Sequence, residues 1–409
     1  MTTCHQLPLL CAKKGLTAAY LVKTMGIGRE QLSLIRHYVQ DRLQPEHSDE
    51  KHLDEAMNWL CRAQDVCGTT GVSAVFDLKK GWDVAYPETS GYIIATYLAY
   101  ADLSGNTSFF DRALRIGNWE IDIQTPGGGV LSNPRYDYTR VFNTGQVILG
   151  WCALFERTQD NKYLHAALRA GDYLMRIQEP DGSWRRDTYC GARTYHARVD
   201  WSLLRLTQVS GDERFAGAAA NNLAWVLQQQ RKNGWFDNCG FNNDNPIMHV
   251  IVYTLRGLLE SYAIATLLPK NLDILPKIIR AADPLCAAVE RNCVKNIPLM
   301  IPTSFDENWE SSDQHSCLTG NAQLACFLFR LSTITKVDRY RTLAENVVST
   351  LKKTHVISTQ FGQIRGAISG TFPLYHGYHQ NSYPNWATKF FADALMMKLR
   401  YHQQIQICA

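Results

Sequence analysis

YLHAALRAGDYLMRIQEPDGSW, residues 163–184, is the stretch whose reading decides the fold. Its first fifteen residues carry apolar side chains at i, i+3, i+4 and i+7 and keep a polar face, the pattern of a helix half in contact with a core. Gln178 and the turn pair Asp181-Gly182 then stop it, because glycine tolerates the positive φ that a helix C-terminus needs. The same punctuation recurs at AQDVCGTTGV (Gln64), IQTPGGGV (Gln124) and QQQRKNGWF (Gln230), at spacings of 60, 54 and 52 residues, with weaker copies at Asn292 and Gln360. Repeats of this length mean a helical array or toroid.

A second series interleaves with the first. ETSGYIIATYLAYADL, NTGQVILGWCALFERT, TYHARVDWSLLRLTQV, IMHVIVYTLRGLLESY, LTGNAQLACFLFRLST and YPNWATKFFADALMMKL are helical in period, and several are apolar on nearly every face. Helices of that kind belong inside. Their entry residues Thr89, Thr144, His196, His249, Thr319 and Trp386 follow at intervals of 55, 52, 53, 70 and 67 residues. Six inner helices alternating with six amphipathic outer ones predict an all-α fold, an (α/α)6 barrel. The whole chain, residues 1–409, reads as a single domain, with residues 1–50 as an N-terminal arm or first outer helix. Period-2 alternation of β-branched residues is nearly absent, so strands are not expected.

Composition sets the outer limits. The chain has 409 residues, 45% hydrophobic and 20% charged, with a net charge of +4. That describes a chain with ample core and no Lys/Arg-rich run, so a nucleic-acid partner is not expected. The start, MTTCHQLPLLCAKKGL, lacks the n-region and h-region of an export signal, and AIATLLPKNLDILPKII is broken by two prolines. No integral membrane segment is therefore expected, and a cytoplasmic location is. Twelve cysteines occur without a CxxC pair, several inside helical runs, and read as reduced apolar fillers.

The inner helices' N-termini share one mouth of such a barrel, and the long stretches leading into them must build a cleft there. GWDVAYPETSGY, SNPRYDYTRVFNTGQ, RRDTYCGARTYHARVDW, NGWFDNCGFNNDNPIMH, IPTSFDENWESSDQHSCLTGNAQ and IRGAISGTFPLYHGYHQNSYPNWATK interleave aromatics with Arg, Asp, Asn and His. Flat apolar faces for ring C–H groups, with polar groups for hydroxyls and carboxylates, are what sugar recognition needs. Q…DGSW pieces also occur in squalene and terpene cyclases, but no DxDD-like proton donor or aspartate-rich metal site is present, and these loops are too polar for terpene cyclisation.

YPETSGYI, VFNTGQVILG, QEPDGSW, TYHARVDWSLL, NGWF, MHVIVYTLRGLLE, CLTGNAQLA and YPNWATKFFADAL, in colinear order over about residues 80–395, resemble a bacterial family of exopolysaccharide and capsule gene clusters. Many of its members carry a transferred label of delta-aminolevulinic acid dehydratase. That label implies a (β/α)8 barrel with a Schiff-base lysine, and this chain shows no βα alternation. More remotely, NTGQVILGWCALFERTQDNKYLHAAL is similar to the helical C-terminal domain of glucuronyl C5-epimerases. The resemblance implies polysaccharide biosynthesis or modification, on an acidic oligo- or polysaccharide or a lipid-linked glycan.

Within the loops, Glu88 is the carboxylate aimed at the mouth from the first inner helix, although an acid there also meets the helix dipole. His196 and His249 stand at equivalent entrances, each near a tyrosine, Tyr195 and Tyr253. A histidine removes a proton near neutral pH and a tyrosine returns one. These five are the candidate catalytic residues. Arg135, Arg140, Arg193 and Arg198 are candidate cations for a uronate carboxylate. Tyr86, Gln146, Trp235, Asn321 and Gln323, with Tyr378, His379, Asn385, Trp386 and Lys389 of the last loop, are candidate substrate contacts. His376 and His379 lie three apart without a third ligand, so neither metal nor cofactor is expected. Proton abstraction of epimerase or lyase type is the leading expectation. A glycosidase with two loop carboxylates is the alternative, drawn from Asp83, Glu88, Asp137, Asp200, Asp237, Asp244, Asp306, Glu307, Glu310 and Asp313. A glycan-binding scaffold without catalysis is the other.

Overall fold

The computed structural model describes residues 47–408 except 69, 243–244, 293–299, 358, 360 and 376, with side chains of the last helix described through residue 401. Of the N-terminal arm expected over residues 1–50, residues 1–46 lie outside the described residues, as do His376 and Asp244.

The outer helices are α1 (Asp49–Asp65), α3 (Ser108–Asp122), α5 (Asn161–Arg176), α7 (Glu213–Gln228), α9 (Ile274–Arg291) and α11 (Asp338–Lys352). The inner ones are α2 (Pro87–Ser104), α4 (Val141–Thr158), α6 (Ala197–Ser210), α8 (Met248–Ala263), α10 (Leu318–Thr335) and α12 (Asn385–Cys408). Each inner helix packs on the next, α12 returns to α2, and the outer helix α1 packs on α12. The chain is an (α/α)6 barrel. On α10 every residue from 318 to 329 is buried. On α5 burial follows Tyr163, Ala166, Ala167, Ala170, Gly171 and Leu174, one face only.

The repeated Gln–Gly turn is the staple of the outer ring. Gln178 Nε2 donates to the Gly182 carbonyl of its own turn at 2.9 Å and to the Ala218 carbonyl of α7 at 2.9 Å. Gln124 does the same to Gly128 and Ala166, and Gln230 to Gly234 and Lys277. Gly182 has φ +86, and a Cβ there would stand 2.5 Å from the Asn221 carbonyl, so both conformation and space require glycine. Trp184 is fully buried, its Nε1 donating to Leu174 O at 2.9 Å.

Connections differ at the two ends. From α2, α4, α6 and α10 the chain turns into the following outer helix within two or three residues, through Gly105, Gln159, Gly211 and Lys336 in the left-handed region. At the other end the stretches into the inner helices are long. Among the described residues they carry five short strands that the sequence pattern does not show, because each spans only two or three residues. β1 (Val75–Asp77) pairs antiparallel with β2 (Gly81–Trp82) and with β5 (Ser382–Pro384), while β3 (Ser316–Cys317) pairs with β4 (Thr371–Phe372). The β1–β5 pairing joins the first mouth loop to the last, and Asn385 reinforces it by donating to Ser73 O and Thr89 Oγ1. No described helix is long and apolar enough to cross a membrane, and among the described residues eight cysteines stand as free thiols.

Candidate functional site

The long-loop mouth holds a cleft of about 390 Å³. Glu88, Tyr86, His249, Tyr253, Tyr378, His379 and Trp386 line it together, joined by Asp83, Asn133, Phe142, Tyr189 and Phe241. Seven of the expected catalytic and substrate-contact residues, and Asp83 of the expected carboxylates, therefore meet in one place.

Glu88 is the second residue of α2, which starts with Pro87 at a position where its fixed φ suits a first helical turn. Tyr86 Oη donates to Glu88 Oε2 at 3.2 Å, and Tyr189 Oη stands 3.4 Å from the same oxygen and 2.6 Å from Tyr86 Oη. Burial pushes the Glu88 carboxyl up to about 7, against the hydroxyls of Tyr86, Tyr189 and Tyr253 and the charge of Arg198, all of which favour its ionised form. The three tyrosines are themselves pushed up, foremost by burial, and stay protonated.

His249 is the second residue of α8. The Thr303 carbonyl of the fifth loop accepts from Met248 N at 2.7 Å, and Gly320 lets α10 approach to where a Cβ would stand 2.7 Å from His249 N. Gln323 Nε2 lies 2.8 Å from His249 Nδ1; with the amide donating, the ring's proton sits on Nε2. Burial, then His379 and Arg198, push this imidazole well below its ordinary range, and burial takes His379 down to about 4. Both rings are neutral at pH 7. Tyr253 and Tyr378 flank His249 with ring centroids 4.4 and 5.4 Å away, and His379 meets Trp386 edge-on at 4.8 Å.

At the rim, Arg140 bonds Thr188 O and lies over the rings of Tyr138 and Tyr189 at 4.6 and 5.1 Å, with no carboxylate paired to it among the described residues. Arg135 pairs with Asp83 at 2.9 Å.

Other expected contacts are elsewhere. His196 and Tyr195 are buried and do not line the cleft. A short 3-10 turn over Thr194–His196 precedes α6 and turns His196 back onto Trp184, ring centroids 6.0 Å apart, where burial lowers its imidazole to about 3. Tyr195 stands behind the wall, edge-on to Phe142 and Phe241. Arg193 bonds Cys190, Asn321 bonds Ser316 Oγ, and Trp235 packs on Trp309. Gln146 holds Arg198 Nε at 2.9 Å. Asn385 belongs to the strand clasp. Arg198, Gln323 and Lys389 line a separate, deeper cavity.

Of the nine carboxylates expected as glycosidase candidates that lie among the described residues, only Asp83 and Glu88 line the cleft. Asp237 and Glu307 bond Arg231, Glu310 bonds Arg291, and Asp313 accepts from Ser304, so those four brace the loops. Asp200 is buried and has no hydrogen-bond partner among the described residues. Tyr189 is not among the expected contacts, although it belongs to RRDTYCGARTYHARVDW, one of the stretches expected to build the cleft. Among the described residues no group of three or more His, Cys, Asp or Glu is placed to hold a metal ion.

No family model and no curated protein matches the chain. Solved structures do. An unsaturated glucuronyl hydrolase specific for heparin superposes with a TM-score of 0.69 at 16% identity over 87% of this chain and 98% of that one. A sugar epimerase from a ruminal bacterium gives 0.68 at 10% identity over 86% and 98%. Cellobiose 2-epimerase from Bacillus thermoamylovorans gives 0.66 at 10% identity over 86% and 98%. At these identities the likeness is one of fold.

Proposed function

We propose that the chain is a carbohydrate-active enzyme that moves a proton at a ring carbon of a uronic-acid-containing glycan, by epimerase- or lyase-like chemistry. The observation that carries this reading is Glu88, a carboxyl buried in an aromatic cleft and brought close to neutrality among hydroxyl donors. As carboxylate it takes the proton from the carbon next to the uronate group. His249 Nε2–H and the tyrosine hydroxyls donate to the oxygens on which negative charge develops. Return of a proton from the opposite face gives the epimer; departure of the β-substituent gives an unsaturated sugar. Arg140, uncompensated at the rim, meets the uronate carboxylate. That the fold is shared with a glucuronyl hydrolase and two sugar epimerases supports a sugar substrate. The sequence resemblance supports a place in exopolysaccharide or capsule metabolism, acting in the cytoplasm on an acidic oligo- or polysaccharide or a lipid-linked glycan.

A second reading, glycoside hydrolysis, is favoured by Asp83, which brings a second carboxylate to the same cleft. Proton NMR of uronate oligosaccharides incubated with the protein in D₂O separates the possibilities. Deuterium at C5 marks epimerisation, a vinylic proton marks elimination, and new reducing ends mark hydrolysis. Binding without turnover that is unaffected by Glu88→Gln would identify a glycan-binding scaffold, and inertness toward every acidic glycan would overturn the proposal.

A further inference from the structure

Beneath the cleft lies a cavity of about 170 Å³ that shares no lining residue with it. Its walls are Thr96, Arg198, Gln323, Cys326, Lys389 and Phe390, with Ala95, Trp201, Arg256 and Asp393 toward the outside. Ala95, Arg256 and Asp393 each sit eight residues into an inner helix, about 12 Å below the mouth at 1.5 Å per residue. Ala95 is exposed and Trp201 and Arg256 are half-buried, so the cavity opens away from the cleft, toward the short-link end. Tyr92 and Tyr253, with the Arg198 guanidinium 4.9 Å from the Tyr253 ring centroid, separate the two.

The charges around this cavity do not balance. Lys389 is paired with Asp393 at 2.5 Å, and Arg256 with Glu260 at 2.7 Å. Arg198, only 3% exposed, has its Nε on Gln146 Oε1 and no carboxylate partner among the described residues. Of the three cations in the walls, Lys389 and Arg256 are paired, so one positive charge, that of Arg198, is left without a carboxylate in contact and feels the Glu88 carboxyl of the cleft only through the intervening wall. A buried guanidinium without a counter-charge is costly, and a bound anion offsets that cost.

We infer that this cavity is a binding site for a small oxyanion, seated on the terminal nitrogens of Arg198 with Lys389 beside it. The fork of a guanidinium suits two oxygens of one anion. The inference does not rest on the chemistry proposed for the cleft, although the charge of Arg198 also reaches Glu88. Gln323 connects the two, since it lines this cavity and bonds the His249 ring.

Inorganic phosphate, titrated into the full chain at constant ionic strength, tests the inference. Trp201, whose ring lies 5.3 Å from the Arg198 guanidinium, is the reporter. The expected result is a saturable change in tryptophan fluorescence, absent in Trp201→Phe, together with a rise in Tm of about 2–4 °C near saturation. Sulfate should reproduce it. Arg198→Met should abolish both responses. Because that variant removes a buried group and can misfold, Ala95→Glu provides a second arm. It places a carboxylate at the exposed opening on a helix that accepts glutamate, and should weaken phosphate binding at least tenfold. No saturable response to phosphate or sulfate, a response to chloride alone, or a response unchanged in Ala95→Glu would overturn the assignment.

Discussion

Tyr86 and Glu88 bracket the first turn of α2, and the tyrosine hydroxyl donates to the carboxylate at 3.2 Å. The pair sits where the first mouth loop becomes an inner helix, so backbone geometry holds both the acid and its donor. Glu88→Gln keeps the shape and removes the titration. With Glu88 as base, turnover should fall 10²- to 10⁴-fold, and wild-type activity should rise with pH through about 7, the value to which burial brings this group.

The same substitution has a stability signature of fixed sign. The carboxyl is raised from 4.5 to about 7 on folding, so the folded chain holds the proton more tightly than the unfolded one. The stabilisation this gives is complete below pH 4.5 and is lost as pH rises through 7. Glu88→Gln should therefore gain on the wild type by roughly 3 kcal/mol at pH 8 and show little difference at pH 4, as read from urea unfolding at both pH values. An equal effect at both would contradict the raised value.

The barrel was legible because its defining chemistry is local. Gln178 and Gly182 act within one turn and against one neighbour, so the same two residue types recur at the ends of α3, α5 and α7. The cleft was legible only in part. A residue on a helix turns 100° from the next, and motif alignment does not say which side an entry residue faces. His249 and His196 look equivalent in sequence, yet a 3-10 turn precedes α6, so His196 meets Trp184 instead of the cleft. Tyr189 escaped notice because it sits in irregular chain, where no periodicity marks an inward side chain.

Gly182→Ala tests the staple. The left-handed φ and the approach to Asn221 O both oppose a side chain, so the variant should lose about 2–4 kcal/mol of unfolding free energy. Gln178→Ala, which forfeits two hydrogen bonds to backbone, should lose about 1–3 kcal/mol. Neither turn touches the cleft, so kcat and KM of the folded protein should not change. A catalytic defect at unchanged stability would contradict a structural role.

His52 of α1 and His355 beyond α11 place their Nδ1 atoms 2.8 Å apart, both rings fully buried against Phe391. Such a contact needs one N–H and one lone pair, so the two neutral rings carry opposite tautomers. Burial lowers them to about 3 and about 4. The unfolded chain takes up protons below 6.5 that the folded one refuses, so this stability is present at pH 7 and is lost progressively as pH falls toward 4. The expected loss is on the order of 3–5 kcal/mol. His355→Gln should flatten the unfolding midpoint between pH 6.5 and 4.5, and an unchanged slope would rule the pair out as its source.

Arg140 is the cleft-rim cation without a carboxylate partner, held in place by Thr188 O and two tyrosine faces. If it receives a uronate, Arg140→Gln removes a charge-assisted contact to the substrate and leaves the tyrosine stack largely intact. kcat/KM for a uronate oligosaccharide should fall 10- to 100-fold, about 1.4–2.7 kcal/mol, while a neutral oligosaccharide of the same length should bind as before. Lysine should restore only part of the loss, since a point charge lacks the guanidinium fork. A loss that is equal for acidic and neutral sugars would instead mean that Arg140 only braces Tyr189, and the uronate carboxylate would then have to be met elsewhere in the cleft.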